Sequence, residues 1–527
     1  MGIPLKIVYV VLSSLFLLLG CEETEDQKPP EVAITTPVNG VTLADIVLIT
    51  AIALDDEVVA SVELFIDGES FAVDTDAPFE FQWITGSGDN GDHTFLCKAT
   101  DDSGNEALSE LVTVRVMNSL FTASFTQDWL CPSCGTAVLF ISDMAGNVLG
   151  EASWSGNDEV TIEADNILLD PGDSMMVTTV IPSSFGTVNI TTYMAIVVGD
   201  EWTFNGVPEI NYSNQQTITL DFQNVPDHSG YSLSTAYSSM SSTSSHMGAI
   251  QSLFAYEDPV SVYLQLNTTN DGVNYQMFEN LSPGSHTLDL TTLHSTLEKT
   301  VQYPQEADGQ YGYTSLYGYK QFGDYYHGRY RIVREKLSEG SSTSATTLYF
   351  PDQYLMAFRT DMYYVIEDVL KMNHVYGEVP DQFHSLNGNI EFLNVTTDQI
   401  NFSTQGNFDQ IRAYLRYSGG DMSYAWNVYG PSNLNQFILP QFSDLVQVRF
   451  PDLTREYFNL NYIDLIDYSD VTSHADIIDV HFHSSDYFDN VINEKRIYSE
   501  YYRSDDSVLE RVKERELDLV NQQSRGF

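Results

Sequence analysis

The densest chemistry in this chain lies between residues 303 and 336. Tyr303, Tyr311, Tyr313, Tyr317, Tyr319, Tyr325, Tyr326 and Tyr330 share that stretch with Arg329, Arg331, Arg334 and Lys336. Tyrosine rings offer flat faces that stack on sugars, and guanidinium forks grip carboxylate or sulfate through paired hydrogen bonds. The combination suits an acidic or sulfated glycan, with Tyr311, Tyr313, Tyr317, Tyr319, Arg329 and Arg331 as the candidate contacts. The plainer alternative is a sheet with tyrosines on a half-exposed face and arginines paired with surplus acids. On an extended strand alternate residues share a face, so Tyr311 and Tyr313 can act together, as can Arg329 and Arg331.

Three further groupings could do chemistry. Cys131-Pro132-Ser133-Cys134 is a disulfide, a redox pair or half a zinc site. Redox work wants the first thiol at a helix N-terminus, yet the following Ala137-Val138-Leu139-Phe140-Ile141 reads as a strand. A zinc site wants a second pair of ligands, and there is no other cysteine pair. His481-Phe482-His483, with His474, Asp476, Asp479 and Asp486 nearby, would put two imidazoles on one face of a strand, as either a metal site or an exposed strand face requires. Asp55-Asp56-Glu57 and Asp101-Asp102-Ser103-Gly104-Asn105 offer the hard oxygens calcium prefers, without the spacing of a twelve-residue calcium loop. Asx and Gly are also ordinary turn formers. No cofactor is expected from these residues unless it is calcium, and the metal ligands stay unassigned. No phosphate loop, His-Glu-x-x-His or Gly-x-Ser-x-Gly pattern occurs, so a non-enzymatic role is expected. A secreted hydrolase would need two of the 74 acidic residues to converge.

The address is written near the start. An apolar run from Ile7 to Leu19 follows the single charge of Lys6 and ends in Leu18-Leu19-Gly20-Cys21. The run is short for a spanning helix and suits the hydrophobic part of a secretory signal. The ending resembles the lipobox of bacterial lipoproteins. The resemblance implies removal of residues 1–20, lipidation of Cys21, a membrane held through that anchor, and residence outside the cytoplasm as an outer-membrane lipoprotein. There thiols oxidise, which favours a Cys131–Cys134 disulfide. In the acidic tether at 21–30, the residues Glu22-Glu23-Thr24-Glu25-Asp26 resemble the surface-export signal of Bacteroidetes lipoproteins. With 74 acidic and 23 basic residues the net charge is −51. Such a field repels nucleic acid and anionic lipid, leaving polysaccharides or other surface proteins as partners.

The elements that must position these groups are strands. Val47-Leu48-Ile49-Thr50-Ala51-Ile52-Ala53, Val59 to Ile66 with Asp67-Gly68, Ala77-Pro78-Phe79 to Trp83, and Gly91-Asp92-His93-Thr94 to Asp101 alternate with turn residues at sandwich spacing. Asp67-Gly68 marks a two-residue hairpin. Trp83 fills the space between sheets, and Phe95, Cys97 and Ala99 share a face, Cys97 as a small buried apolar residue. In turns and strand order, residues 31–117 resemble the bacterial immunoglobulin-like domain. Beyond them strand-like runs continue at 137–142, 175–180, 217–222, 260–266 and 411–417. Ser/Thr-rich segments at 238–245 and 338–347 read as linkers, giving β-rich modules at 118–235, 246–337 and 348–500. Ser507-Val508-Leu509-Glu510 fits a capping box and predicts a C-terminal helix over 505–521. The fold expected is mainly β and multidomain. The function expected is a structural, adhesion or interaction role at the surface; the alternative is a glycan-binding accessory of a polysaccharide-uptake system.

Overall fold

The computed structural model describes residues 26–126, 130, 135–156, 159–163, 169, 172–183, 186–204, 214–247, 250–322, 328–337, 340, 342–366, 369–419, 422–469 and 471–483, with the backbone alone of 494–500 and of Ser87. Cys21, Cys131, Cys134, Tyr325, Tyr326, Asp486, the signal at 1–20 and the helix expected at 505–521 lie outside the described residues. The chain divides into two compact units, Met1–Asn118 with residues 164–171, and the remainder from Ser119.

The first unit is a two-sheet sandwich. Glu31–Thr36 (β1), Ile46–Leu54 (β3) and Phe79–Ile84 (β6) form one sheet in the order β1-β3-β6. The other is built from Thr42–Leu43 (β2), Val59–Ile66 (β4), Glu69–Asp74 (β5), Gly91–Asp101 (β7) and Val112–Val116 (β9), in the order β2-β9-β7-β4-β5. Glu106–Leu108 (β8) pairs with β7. Period-two alternation explains the core. Phe79, Phe81 and Trp83 of β6 point inward while Glu80, Gln82 and Ile84 face out. Phe95, Cys97 and Ala99 of β7 join the same core, and Trp83 meets Phe95 edge to face at 5.8 Å. Asp67 and Gly68 both adopt the left-handed backbone that a tight hairpin between β4 and β5 needs. Burial pushes the Cys97 thiol up to about 11, so it packs as an inert apolar group.

The second unit is built on one twelve-stranded sheet. In chain order its strands are β10 (Ala137–Asp143), β11 (Val148–Trp154), β12 (Ser174–Pro182), β13 (Thr187–Val197), β14 (Tyr311–Tyr319), β15 (Tyr330–Leu337), β16 (Ala357–Ile366), β17 (Val369–Gly377), β18 (Gln410–Gly419), β19 (Met422–Pro431), β20 (Asn459–Tyr468) and β21 (Glu494–Glu500). Across the sheet they run β11-β10-β12-β13-β19-β18-β20-β21-β17-β16-β14-β15. Neighbours are antiparallel except β13 and β19, which pair in parallel. One face carries Ile411, Ala413, Leu415, Trp426, Val428, Ile463 and Leu465, packed with Phe402 and Phe437 of a smaller sheet. All five strand-like runs expected beyond the first domain are strands.

The modules expected at 118–235, 246–337 and 348–500 do not stand as separate sheets. Strands from all three hydrogen-bond into the same sheet, which corrects the divisions drawn at Ser/Thr-rich segments. Ser239–Ser242, inside the first supposed linker, is itself a strand beside His228–Ser234. A serine-rich strand and a serine-rich linker share a composition, and the cross-strand bonds that separate them leave no local mark. Helix is confined, among the described residues, to the short α1 (Asp444–Arg449) and α2 (His474–Ile478), besides single helical turns.

Candidate functional site

Strand β14 reads Tyr-Gly-Tyr-Thr-Ser-Leu-Tyr-Gly-Tyr, and its alternation builds a face. Leu316 is fully buried in the core, which turns Tyr311, Tyr313, Ser315, Tyr317 and Tyr319 to the other side. The same alternation puts Gly312 and Gly318 on the core side, where neighbouring groups come too close for a side chain. A Cβ would overlap the Tyr363 carbonyl at the first and the Leu355 side chain at the second. Tyr311, Tyr313 and Tyr317 are half-buried. Tyr319 is fully buried, so it drops out as a contact for a ligand arriving from solvent.

A backbone irregularity brings the basic residues to the same face. Arg331, Arg334 and Lys336 are unevenly spaced, so a regular strand would split them between its two sides. In β15, Lys336 opposes Tyr313, Arg334 opposes Ser315 and Arg331 opposes Tyr317, with one extra residue taken up between Val333 and Arg331. That bulge lets Ile332 turn into the core, where it is fully buried, while the cations stay beside the tyrosines. The Arg334 guanidinium lies 4.2 Å from the centre of the Tyr313 ring and donates to the Tyr363 hydroxyl at 3.0 Å. The Lys336 ammonium lies 5.4 Å from the Tyr311 ring, and the Arg329 guanidinium 5.3 Å from Tyr317. These are cation–π distances. The Tyr311 and Tyr313 hydroxyls share a hydrogen bond of 2.7 Å, which fixes the two rings relative to each other.

Behind this row the same face carries buried ion pairs. Arg359 donates from Nε and Nη2 to the two oxygens of Asp361, at 2.7 and 2.6 Å, and His374 Nδ1 hydrogen-bonds Asp361 at 2.8 Å. The guanidinium stands 5.6 Å from the ring centres of both Tyr317 and Tyr376. Burial by itself would raise the Asp361 pKa; Arg359 and His374 beside it hold the carboxyl well below the usual carboxylate range. Further along the sheet Arg412 repeats the pattern. It bonds Asp464, its partner across β18 and β20, and stands near the rings of Tyr429 and Tyr462. Sequence reasoning missed both pairs. The available signal was charge inside otherwise apolar strands, at Arg359, Asp361, Arg412 and Asp464.

The other groupings fare differently. His481 and His483 do not share a strand face. They lie in a helical turn, Asp479–His483, that continues α2, and residues two apart on a helix diverge. His483 bonds Asp479 at 3.0 Å and Asp200 at 2.9 Å. His474 is buried, with Nε2 donating to the Met194 carbonyl and Nδ1 accepting from Gln410; burial lowers its pKa to about 4. Asp55 and Asp101, from the two acidic loops, meet in the first unit together with Asp26 of the tether.

Residues 30–95 match the family model of the bacterial Ig domain, which makes the N-terminal sandwich an immunoglobulin-like domain. No curated protein matches the chain. Among solved structures, the fibronectin(III)-like modules of Clostridium thermocellum CbhA are 23% identical over 16% of this chain and 94% of their own, with a TM-score of 0.16. SGBP-B of the Bacteroides ovatus mixed-linkage glucan utilization locus, in complex with a mixed-linkage heptasaccharide, is 13% identical over 62% of this chain and 93% of its own, with a TM-score of 0.15. A bacterial ice-binding adhesin is 11% identical over 50% of this chain and 100% of its own, with a TM-score of 0.14. None of the three superposes on this chain as a whole.

Proposed function

We propose that this chain is a non-enzymatic surface lipoprotein that holds an anionic polysaccharide on the tyrosine and cation face of its second unit. Lipidation at Cys21 would supply the anchor and the immunoglobulin-like domain the stalk. The observation that carries the reading is the gathering of Arg329, Arg331, Arg334 and Lys336 beside Tyr311, Tyr313 and Tyr317, in a molecule of net charge −51. Local positive charge in such a molecule marks a place where an anion is favoured. The ring of Tyr313 already carries a guanidinium, so the exposed heads of Arg334 and Lys336 read the ligand and the tyrosines hold them in place. That arrangement favours sulfate or carboxylate groups over stacking on neutral sugars.

The test is titration of the full chain with carrageenan, alginate and neutral dextran. Binding of a sulfated or uronic polymer is expected, weakening as salt is raised and falling at least tenfold in the Arg334→Ala/Lys336→Ala double variant. Equal binding by that variant, or preference for dextran, would remove the assignment.

A further inference from the structure

The first unit carries a cluster of carboxylates that is independent of the glycan reading. Asp55 lies in the loop after β3, and Asp101 closes β7 where it pairs with Val59 at the start of β4. Asp26 arrives from the tether and is held there at two points. Its Oδ1 accepts from the Lys28 main-chain N–H at 3.0 Å, and its carbonyl oxygen accepts from Asn105 Nδ2 at 2.9 Å. One carboxylate oxygen from each of Asp26, Asp55 and Asp101 lies within 4.8 Å of the other two.

What marks this cluster is the state of its oxygens. Asp101 is 2% exposed and is braced by Asn105, which donates to it from both its main-chain N–H and its side-chain amide at 2.8 Å. Both oxygens of Asp55, and Oδ2 of Asp26, are sealed from solvent and accept no hydrogen bond. Carboxylate oxygens closed off from water are satisfied only by donors or a cation beside them. The adjacent ammonium, Lys28, bonds Asp56 instead, at 3.1 Å. Three carboxylates therefore converge, and Asp55 has no donor of its own among them.

We propose that Asp26, Asp55 and Asp101 hold a calcium ion that clasps the tether to the immunoglobulin-like domain. The donors are all hard oxygens, with no histidine or cysteine among them, which suits calcium rather than zinc. Two oxygens bound to one calcium ion at about 2.3–2.6 Å can be no more than about 5 Å apart, and the three carboxylate oxygens fall inside that limit, all within 4.8 Å of one another. Asp55 is free to bind through both oxygens and Asp26 through Oδ2. Water and main-chain carbonyls would complete the shell. Since Asp26 lies five positions after Cys21, the ion sets where the tether leaves the domain. A clasp of this kind works where calcium is abundant, and millimolar affinities suffice there.

The experiment is hydrogen exchange on the full chain after chelator treatment, with calcium or magnesium added back at about 2 mM, enough to fill a site as weak as those of extracellular modules. Calcium should slow exchange at least tenfold in peptides covering 24–30 and 54–58, and magnesium should not. Asp55→Asn should abolish this protection, whereas Asp76→Asn, an exposed acid of the same domain, should keep it. Without metal, Asp55→Asn should exchange no faster than the wild type, because it removes one of three repelling charges; that separates a lost ion from a lost fold. No protection of the wild type by calcium, equal protection by magnesium, or protection surviving in Asp55→Asn would each overturn the proposal.

Discussion

Arg359 shows how little freedom a buried charge has. The residue is 4% exposed, and its charge is balanced by Asp361, which in turn hydrogen-bonds His374. Removing one member of a buried pair leaves the other without its counter-charge, at a cost of about 3–5 kcal/mol. Asp361→Ala should therefore lower the urea midpoint of the second unit by that equivalent, and a shift below about 1 kcal/mol would show the pair to be dispensable. His474 gives a pH test. Its folded pKa lies near 4, against 6.5 for the free side chain, because burial disfavours the imidazolium. Between those values the unfolded chain binds a proton that the folded chain refuses. Stability is therefore full above pH about 6.5 and falls as pH drops toward 4, by roughly 3 kcal/mol for this residue. His474→Gln, which stays neutral and can still donate to Met194, should flatten that part of the denaturation profile. An unchanged slope would count against the burial.

At the level of elements, much of the strand content is legible in the sequence and the pairing is not. Phe79-Glu80-Phe81-Gln82-Trp83 alternates so cleanly that its inward face reads off directly, and Trp83 is buried. Truncating that ring should destabilise the first unit by about 3–5 kcal/mol, read as an earlier unfolding transition in Trp83→Ala. A wild-type transition in that variant would mean the ring fills no space between the sheets. The tyrosines of β14 are legible in the same way, because Tyr311, Tyr313 and Tyr317 keep to the odd positions of one strand. The bulge in β15 is not, since the spacing from Arg331 to Arg334 implies opposite faces and only the paired strand shows the extra residue. The Ser/Thr segments mislead for a related reason. Ser239–Ser242 owes its strand state to hydrogen bonds with Tyr231–Ser234, which its own composition does not announce. Helical geometry likewise hides the fate of His481 and His483, whose alternation imitates a strand.

Over the whole molecule, charge and attachment act against each other. A net charge of −51 repels the chain from anionic lipid, so its overall charge does not attach it to a membrane. Among the described residues no helix is long and apolar enough to cross a bilayer. Acyl chains on Cys21 would do it, each buried methylene contributing about 0.8 kcal/mol, and more than one chain makes the hold stable. With that anchor the acids that follow Cys21 would serve as a spacer, and the proposed ion at Asp26 would fix where it meets the domain. Cys21→Ser should move the protein from the membrane fraction to the soluble fraction and abolish labelling by an alkyne fatty acid. Release should not depend on salt, because hydrophobic anchoring, unlike an ionic contact, is not screened. Membrane association that survives in Cys21→Ser, or that is stripped from the wild type by salt alone, would show that the chain is held by its surface and not by its first cysteine.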